Sequence, residues 1–168
     1  MTVTAVRKDP QALTMTMDAE FDASPERVWQ LWADPRQLNR WWGPPTYPAT
    51  FTKHDLTPGS RVEYHMTGPE GDQPRGYWDI QEVQPPHRLV VIDGFANDDG
   101  TPNDDFPTGE MRVNIQRIGE GRTRMSIESI FPSTEAMEQI LAMGMEEGMK
   151  DAMGQIDAIL AEDTVRTA

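Results

Sequence analysis

The sequence predicts an α+β fold in which a curved, seven-stranded antiparallel sheet wraps around one long C-terminal helix, with two short helices between strands 1 and 2. Seven segments alternate apolar and polar residues, as strands with one buried face do, and most are joined by short turns. Two short segments after the first strand begin with helix-capping residues. From residue 133 to about residue 161, apolar residues recur at helical spacing.

The first strand and the two short helices come from the first quarter of the sequence. Residues 13–21 alternate apolar and polar side chains over nine positions. Ser24 followed by Pro25, and then Asp34 followed by Pro35, each place a capping side chain before a proline at the first helical position. These pairs predict two consecutive helix starts.

Six further strands are expected between residues 49 and 131. Turns rich in proline and glycine separate them, and their predicted ranges are 49–56, 61–67, 76–83, 88–95, 109–118 and 123–131. The stretch from Asp93 to Asp105 contains five aspartates and no basic residue. Because it lacks the spacing of a calcium loop, we expect it to be a mobile, solvated hairpin loop.

The predicted C-terminal helix has an apolar face rich in methionine. Five of the eleven methionines lie on this helix, at 137, 143, 145, 149 and 153, and glycines lie at 144, 148 and 154. Methionine side chains adapt to varied partners, and each helical glycine costs about 1 kcal/mol relative to alanine. The combination favours an adaptable wall of a cavity between helix and sheet. The alternative is that these methionines are ordinary core residues and the glycines permit close packing.

Composition and charge exclude several classes of function. Fifteen Lys and Arg against 28 Asp and Glu give a net charge of −13, which argues against nucleic acid or an anionic membrane as partner. Cysteine is absent, the three histidines do not have metal-ligand spacing, and nucleotide-binding glycine motifs are missing, so neither metal nor cofactor is expected. No signal peptide pattern is visible, and we expect a cytoplasmic protein. The expected organisation is a flexible arm over residues 1–11, a single domain over 12–162 and a tail over 163–168.

Eight short motifs occur in an order that resembles one protein family. They are FDASPERVW (21–29), WADP (32–35), LNRWWGP (38–44), DLTPG (55–59), MTGPEG (66–71), PPHRL (85–89), FPS (131–133) and GMEEG (144–148). Over about residues 20–161 the chain is similar to the bacterial activator of Hsp90 ATPase homologue-like family, within the START-like (SRPBCC, Bet v 1-like, polyketide cyclase) superfamily. The resemblance implies a helix-grip fold whose cavity binds hydrophobic or amphipathic small molecules. A minority of the superfamily performs chemistry in that cavity.

Two departures from the family pattern affect what the resemblance implies. The residue after Gly148 is usually tryptophan in such proteins, and here it is Met149, which implies a larger or softer cavity. The eukaryotic co-chaperone carries an additional Hsp90-binding domain that does not fit within 168 residues. An interaction with Hsp90 is therefore not expected.

The leading hypothesis is a binding protein for a hydrophobic small molecule, and a homodimer stays open. Strand alternation and helical spacing, together with the resemblance, give a predicted lining of Trp42, Tyr64, Met66, Trp78, Met111, Val113, Met125, Met145, Met149 and Met153. Spacing does not decide whether Trp41 or Trp42 faces the cavity. Strand parity over residues 76–83 is also undecided, because apolar residues there fall on both faces.

An enzyme of cyclase or dehydrase type is the second hypothesis, and it requires an ionisable group that faces inward. The candidates are His65 and Asp79. Alternation places His65 opposite Tyr64 and Met66, in water, unless a bulge reverses the strand and makes it a general base. A chaperone-related interaction role is the third hypothesis, and it requires a large exposed apolar patch.

Overall fold

Eight antiparallel strands form one sheet, with the helices on its concave side. The computed structural model describes residues 3–167. The strands are β1 (Val3–Asp9), β2 (Thr14–Phe21), β3 (Ala49–Lys53), β4 (Arg61–Met66), β5 (Arg75–Gln84), β6 (Arg88–Ala96), β7 (Gly109–Gly119) and β8 (Arg122–Ile130). The helices are α1 (Pro25–Ala33), α2 (Pro35–Trp41), α3 (Thr134–Ala142), α4 (Met145–Met153) and α5 (Ile156–Thr167). The sheet order is β1-β2-β8-β7-β6-β5-β4-β3. The predicted fold class is confirmed, with eight strands instead of seven.

The additional strand is β1, so the flexible arm expected over residues 1–11 is wrong for residues 3–9. β1 pairs antiparallel with β2, and its register shifts between Val3 and Ala5. The shift breaks the alternation that would have marked a strand. The Arg7 guanidinium donates to the Asp18 carboxylate on β2, which ties the edge strand to the sheet. Residues 1 and 2 lie outside the described residues.

Both short helices begin where the capping residues predict. The Ser24 hydroxyl accepts a hydrogen bond from the backbone N–H of Arg27 at 3.2 Å. The Asp34 carboxylate accepts one from the backbone N–H of Arg36 at 3.0 Å. Each cap satisfies a donor that the first helical turn leaves free.

Register across the sheet places the core on the concave face. One row of paired residues crosses five strands and consists of Met15, Ser129, Met111, Val91 and Ile80. All five side chains are at most 6% exposed. Such a row, apolar apart from one serine, is possible because each strand points every second residue to the same side of the sheet.

A bulge in β5 changes which of its residues face the core. Its pairing with β6 shifts between Ile80 and Glu82. Before the shift, Trp78 and Ile80 point to the core, and both are at most 1% exposed. Tyr77 points outward and stacks beneath the Arg61 guanidinium, 4.5 Å from the ring centroid.

The C-terminal helical region is present but divided into three segments, α3, α4 and α5. The break between α3 and α4 occurs at Gly144, which has a left-handed φ of 88°. A backbone in that region cannot continue a right-handed helix. Residues 163–167 of the expected tail continue α5, which ends at Thr167, and Ala168 lies outside the described residues. Between residues 3 and 167, none of the helices has the length and apolar character needed to cross a bilayer.

Candidate ligand-binding cavity

A cavity of about 290 Å³ lies between the sheet and the junction of α3 and α4. The sheet side of its wall comes from β4, β6, β7 and β8, and the helical side from the end of α3, the break and the first half of α4. Trp42 and Pro44, which follow α2, close a third side. The cavity thus lies beside the break between α3 and α4.

Two glycines keep space open on the helical wall. A Cβ atom built at Gly148, inside α4, would meet no other atom within 4 Å. The same holds at Gly144, where the positive φ ends α3. Met145 and Met149 line the cavity beside them. Any larger side chain at Gly148 would therefore occupy volume that is now empty.

Five of the ten predicted lining residues line this cavity, namely Trp42, Tyr64, Met66, Met145 and Met149. The other five lie in the packed core, at most 2% exposed, and are Trp78, Met111, Val113, Met125 and Met153. The four on the strands point to the concave face, on which α1 packs, and Met153 lies on α4. For example, the indole N–H of Trp32 lies 3.2 Å from the sulfur of Met125.

The structure shows which of two neighbouring tryptophans faces the cavity, a question that helical spacing did not decide. Trp41 is fully buried, and its indole N–H donates to the carbonyl of Leu31 at 2.9 Å. Trp42 lines the cavity. Its ring packs edge-on against Trp78 with centroids 4.9 Å apart, and against Tyr64 with centroids 6.3 Å apart.

These aromatic residues hold polar groups close to the cavity. The indole N–H groups of Trp42 and Trp78 are buried and have no acceptor in hydrogen-bonding geometry among the described residues. Burial raises the pKa of the Tyr64 phenol well above its ordinary value, and the nearby Asp93 carboxylate raises it further. The phenol therefore stays protonated and can donate a hydrogen bond at neutral pH.

Asp93 is the ionisable residue that the sequence analysis missed, because it was assigned to the solvated loop. It lies on β6, paired with Trp78 on one side and Gly109 on the other, and it lines the cavity. Within the described residues, its carboxylate has neither an ion-pair partner nor a hydrogen-bond donor. Burial raises the pKa of Asp93 from 3.8 to about 6.

A signal for Asp93 was present in the sequence. Leu89, Val91, Asp93 and Phe95 occupy every second position of β6, so they share the concave face. An alternation pattern is recognised from its apolar side chains alone. It therefore does not identify a single acidic residue at an inward position of a strand. The aspartates that follow at 98, 99, 104 and 105 are exposed, as expected for a loop.

Neither predicted catalytic candidate lies at the cavity. The Asp79 carboxylate points to the outer face and accepts two hydrogen bonds from the Arg61 guanidinium, at 2.7 and 3.0 Å. His65 is next to Tyr64 and Met66 on β4, on the opposite face from those two cavity residues. No cluster of three potential metal-binding side chains exists among the residues that the structure describes.

The arrangement combines an apolar wall with one unpaired carboxylate and nearby hydrogen-bond donors. Apolar surface of this kind holds the body of a small molecule, and a few placed polar groups fix its orientation. Acid–base chemistry through Asp93 is also possible, because a carboxyl group with a pKa of about 6 exists in both forms near neutral pH.

Comparisons with solved structures give relatives of the same length. A protein from Arthrobacter aurescens, solved by NMR, is 49% identical, with 96% of this chain and 93% of that chain covered and a TM-score of 0.91. The crystal structure of protein Ms6760 from Mycobacterium smegmatis is 47% identical, with 94% and 96% covered and a TM-score of 0.87. A protein from Silicibacter pomeroyi is 20% identical, with 89% and 99% covered and a TM-score of 0.71, which shows a shared fold. No protein with a curated description matches the chain.

The family comparison agrees with the motifs and with the geometry. The family described as "Activator of Hsp90 ATPase homolog 1-like protein" matches residues 22–161, which is most of the chain. This range runs from the end of β2 to within α5 and includes all the residues that line the cavity. The chain belongs to the activator of Hsp90 ATPase homolog 1-like family.

Proposed function

We propose that the protein binds a small, mostly apolar molecule in the cavity between the sheet and the α3–α4 junction. The observation that carries this proposal is the cavity of about 290 Å³, walled by aromatic and methionine side chains. Small-molecule sites measure roughly 300–1,000 Å³, so the ligand is compact. Met66, Met145 and Met149 supply a wall that adapts to its shape.

The glycine at position 148 supports a functional origin of the empty space. An alanine there would meet no neighbour within 4 Å. It would also favour the α4 helix by about 1 kcal/mol relative to glycine. Glycine at this position therefore makes α4 less stable than alanine would, but it keeps space open beside the cavity. This is expected where a ligand needs that space.

A pair of variants tests whether binding occurs at this cavity. Gly148→Leu places a side chain in the cavity, whereas Gly154→Leu places the same side chain on the exposed end of α4. The probe is 2-naphthylmethanol, titrated against tryptophan fluorescence, which Trp42 in the cavity wall should report. We expect saturable binding to the wild type and to Gly154→Leu, and at least a tenfold weaker binding to Gly148→Leu.

Two results would contradict the proposal that a ligand binds in this cavity. A wild type that binds neither this probe nor any of a panel of lipids, flavonoids and polyketide-like compounds would refute the proposal. Equal affinity of the wild type and Gly148→Leu would place any binding elsewhere on the molecule. Thermal melts of both leucine variants establish that each is folded.

Asp93 favours one second candidate, an enzyme of cyclase or dehydrase type. That hypothesis requires an ionisable group facing the cavity with a shifted pKa, and Asp93 meets both conditions. Mass spectrometry of a molecule that copurifies with the protein separates the two functions. A compound whose mass or chromatographic retention changes on incubation with the wild type, but not with Asp93→Asn, supports the enzyme, and a compound unchanged in both supports the binding protein.

A further inference from the structure

We propose that the ligand carries a protonated amine, which pairs with the Asp93 carboxylate while its apolar body lies against the aromatic and methionine wall. This inference rests on the proposed function and names the chemical class of the ligand. It follows from the missing partner of Asp93, from the charges around the cavity and from the aromatic rings beside the carboxylate.

The missing partner is clearest from a comparison with Asp18 in the same sheet. Burial raises the pKa of Asp18, but hydrogen bonds from Ser126 and Arg7 more than offset it, so that the pKa lies below its ordinary value. The Ser126 hydroxyl donates to Asp18 at 2.6 Å. Asp93 has no equivalent of Ser126 or Arg7 among the described residues. A buried carboxylate is retained at low cost only when something pairs with it, and the cavity leaves that place to a ligand.

The charges around the cavity indicate that the ligand carries a positive charge. Asp93 and Glu110 are the charged residues of its wall, and no Lys, Arg or His among the described residues lines it. Glu110 is paired with Arg112 at 2.6 Å, whereas Asp93 is unpaired. Tyr64, which lines the cavity close to Asp93, is a neutral phenol, and so is Tyr77 on the neighbouring strand. A carboxylate ligand would therefore meet repulsion without compensation, and a cation would be attracted.

The aromatic rings beside Asp93 favour a protonated amine over a neutral alcohol as the polar group of the ligand. Trp42, Tyr64 and Phe95 line the cavity with Asp93, and Phe95 shares its face of β6. Ring faces attract cations within about 6 Å. A hydroxyl group could donate to Asp93 but would leave the buried negative charge uncompensated. A protonated amine neutralises that charge, and the net charge of −13 raises the local concentration of cations around the chain.

Three probes that share one apolar body test this inference at pH 7.5 by isothermal titration calorimetry. They are 2-naphthylmethylamine, 2-naphthylmethanol and 2-naphthoate. We expect the amine to bind the wild type at least tenfold more tightly than the alcohol, and the naphthoate to bind more weakly than both. Asp93→Asn should bind the amine and the alcohol equally. Asp79→Asn removes a carboxylate from the outer face of the neighbouring strand and should keep the wild-type preference.

A measurement on the wild type makes the test independent of how Asp93→Asn folds. The pKa of unliganded Asp93 is about 6, so at pH 5 about nine-tenths of this carboxyl group is protonated. The affinity for the amine should fall about tenfold between pH 7.5 and pH 5, while the affinity for the alcohol stays constant. The Tyr64 phenol, whose pKa is raised by burial, stays protonated over this range.

Two kinds of failure are distinguishable. Equal binding of all three probes, or an amine preference that survives in Asp93→Asn, overturns the amine inference. It leaves binding at the cavity intact, provided that Gly148→Leu still weakens binding at least tenfold. The absence of saturable binding for every probe overturns the proposed function and this inference together.

Discussion

At the scale of single residues, Asp93 and Trp42 show what the sequence could and could not predict. Trp42 was identified as a lining candidate because aromatic residues next to a helix end are conspicuous, although its spacing did not separate it from Trp41. Asp93 was assigned to a loop because four further aspartates follow it within twelve residues. Its inward direction depends on where β6 ends, at Ala96, and composition does not give that boundary.

The stability of the protein should depend on pH through Asp93. The folded-state pKa of about 6 lies above the ordinary value of 3.8, so the folded protein binds this proton more tightly than the unfolded chain. The stabilisation from the protonated carboxyl is complete below pH 3.8 and is lost as the pH rises through about 6. We expect Asp93→Asn to increase the free energy of unfolding by about 3 kcal/mol at pH 7.5 and by about 1 kcal/mol at pH 4.5.

Urea denaturation of the wild type and of Asp93→Asn at both pH values measures this difference. Asp79→Asn is the control, since it loses an ion pair with Arg61 and should be no more stable than the wild type at either pH. An equal effect of Asp93→Asn at pH 4.5 and pH 7.5 would contradict the assignment of a raised pKa to Asp93.

At the scale of elements, regular patterns gave reliable predictions and irregular ones did not. The capped starts of α1 and α2 and the alternation of seven strands are local properties, and all are present in the structure. β1 escaped prediction because a register shift interrupts its short, partly exposed pattern. The break at Gly144 was not predicted because apolar spacing continues through it, whereas the backbone takes a left-handed conformation.

Alanine substitutions of two glycines in this region should have opposite effects on stability. Gly148→Ala adds a methyl group to open space within α4, so we expect an increase of about 1 kcal/mol in the free energy of unfolding. Gly144→Ala also meets open space, but its φ of 88° disfavours any side chain, so we expect a decrease of about 1 kcal/mol. Thermal unfolding of both variants decides the matter, and a stabilising Gly144→Ala would contradict the left-handed break.

At the scale of the whole molecule, the fold was predictable and the position of the cavity was not. The motifs and the alternation specify a sheet around a C-terminal helical region, and the family match over residues 22–161 agrees with them. The predicted lining includes residues of the packed core because alternation marks every inward residue equally. Packing of α1 and its tryptophans fills part of the concave face, as the contact between Trp32 and Met125 shows, and such packing emerges only in three dimensions.

We propose that the space between the sheet and the α3–α4 junction holds an apolar ligand. The most direct measurement is a crystal structure of the protein soaked with 2-naphthylmethanol, collected beside one of Gly148→Leu treated in the same way. We expect electron density for the naphthalene ring between Trp42 and Met149 in the wild type, and leucine density in its place in the variant. A ring bound elsewhere, or a wild-type interior closed by its own side chains, would contradict the proposal.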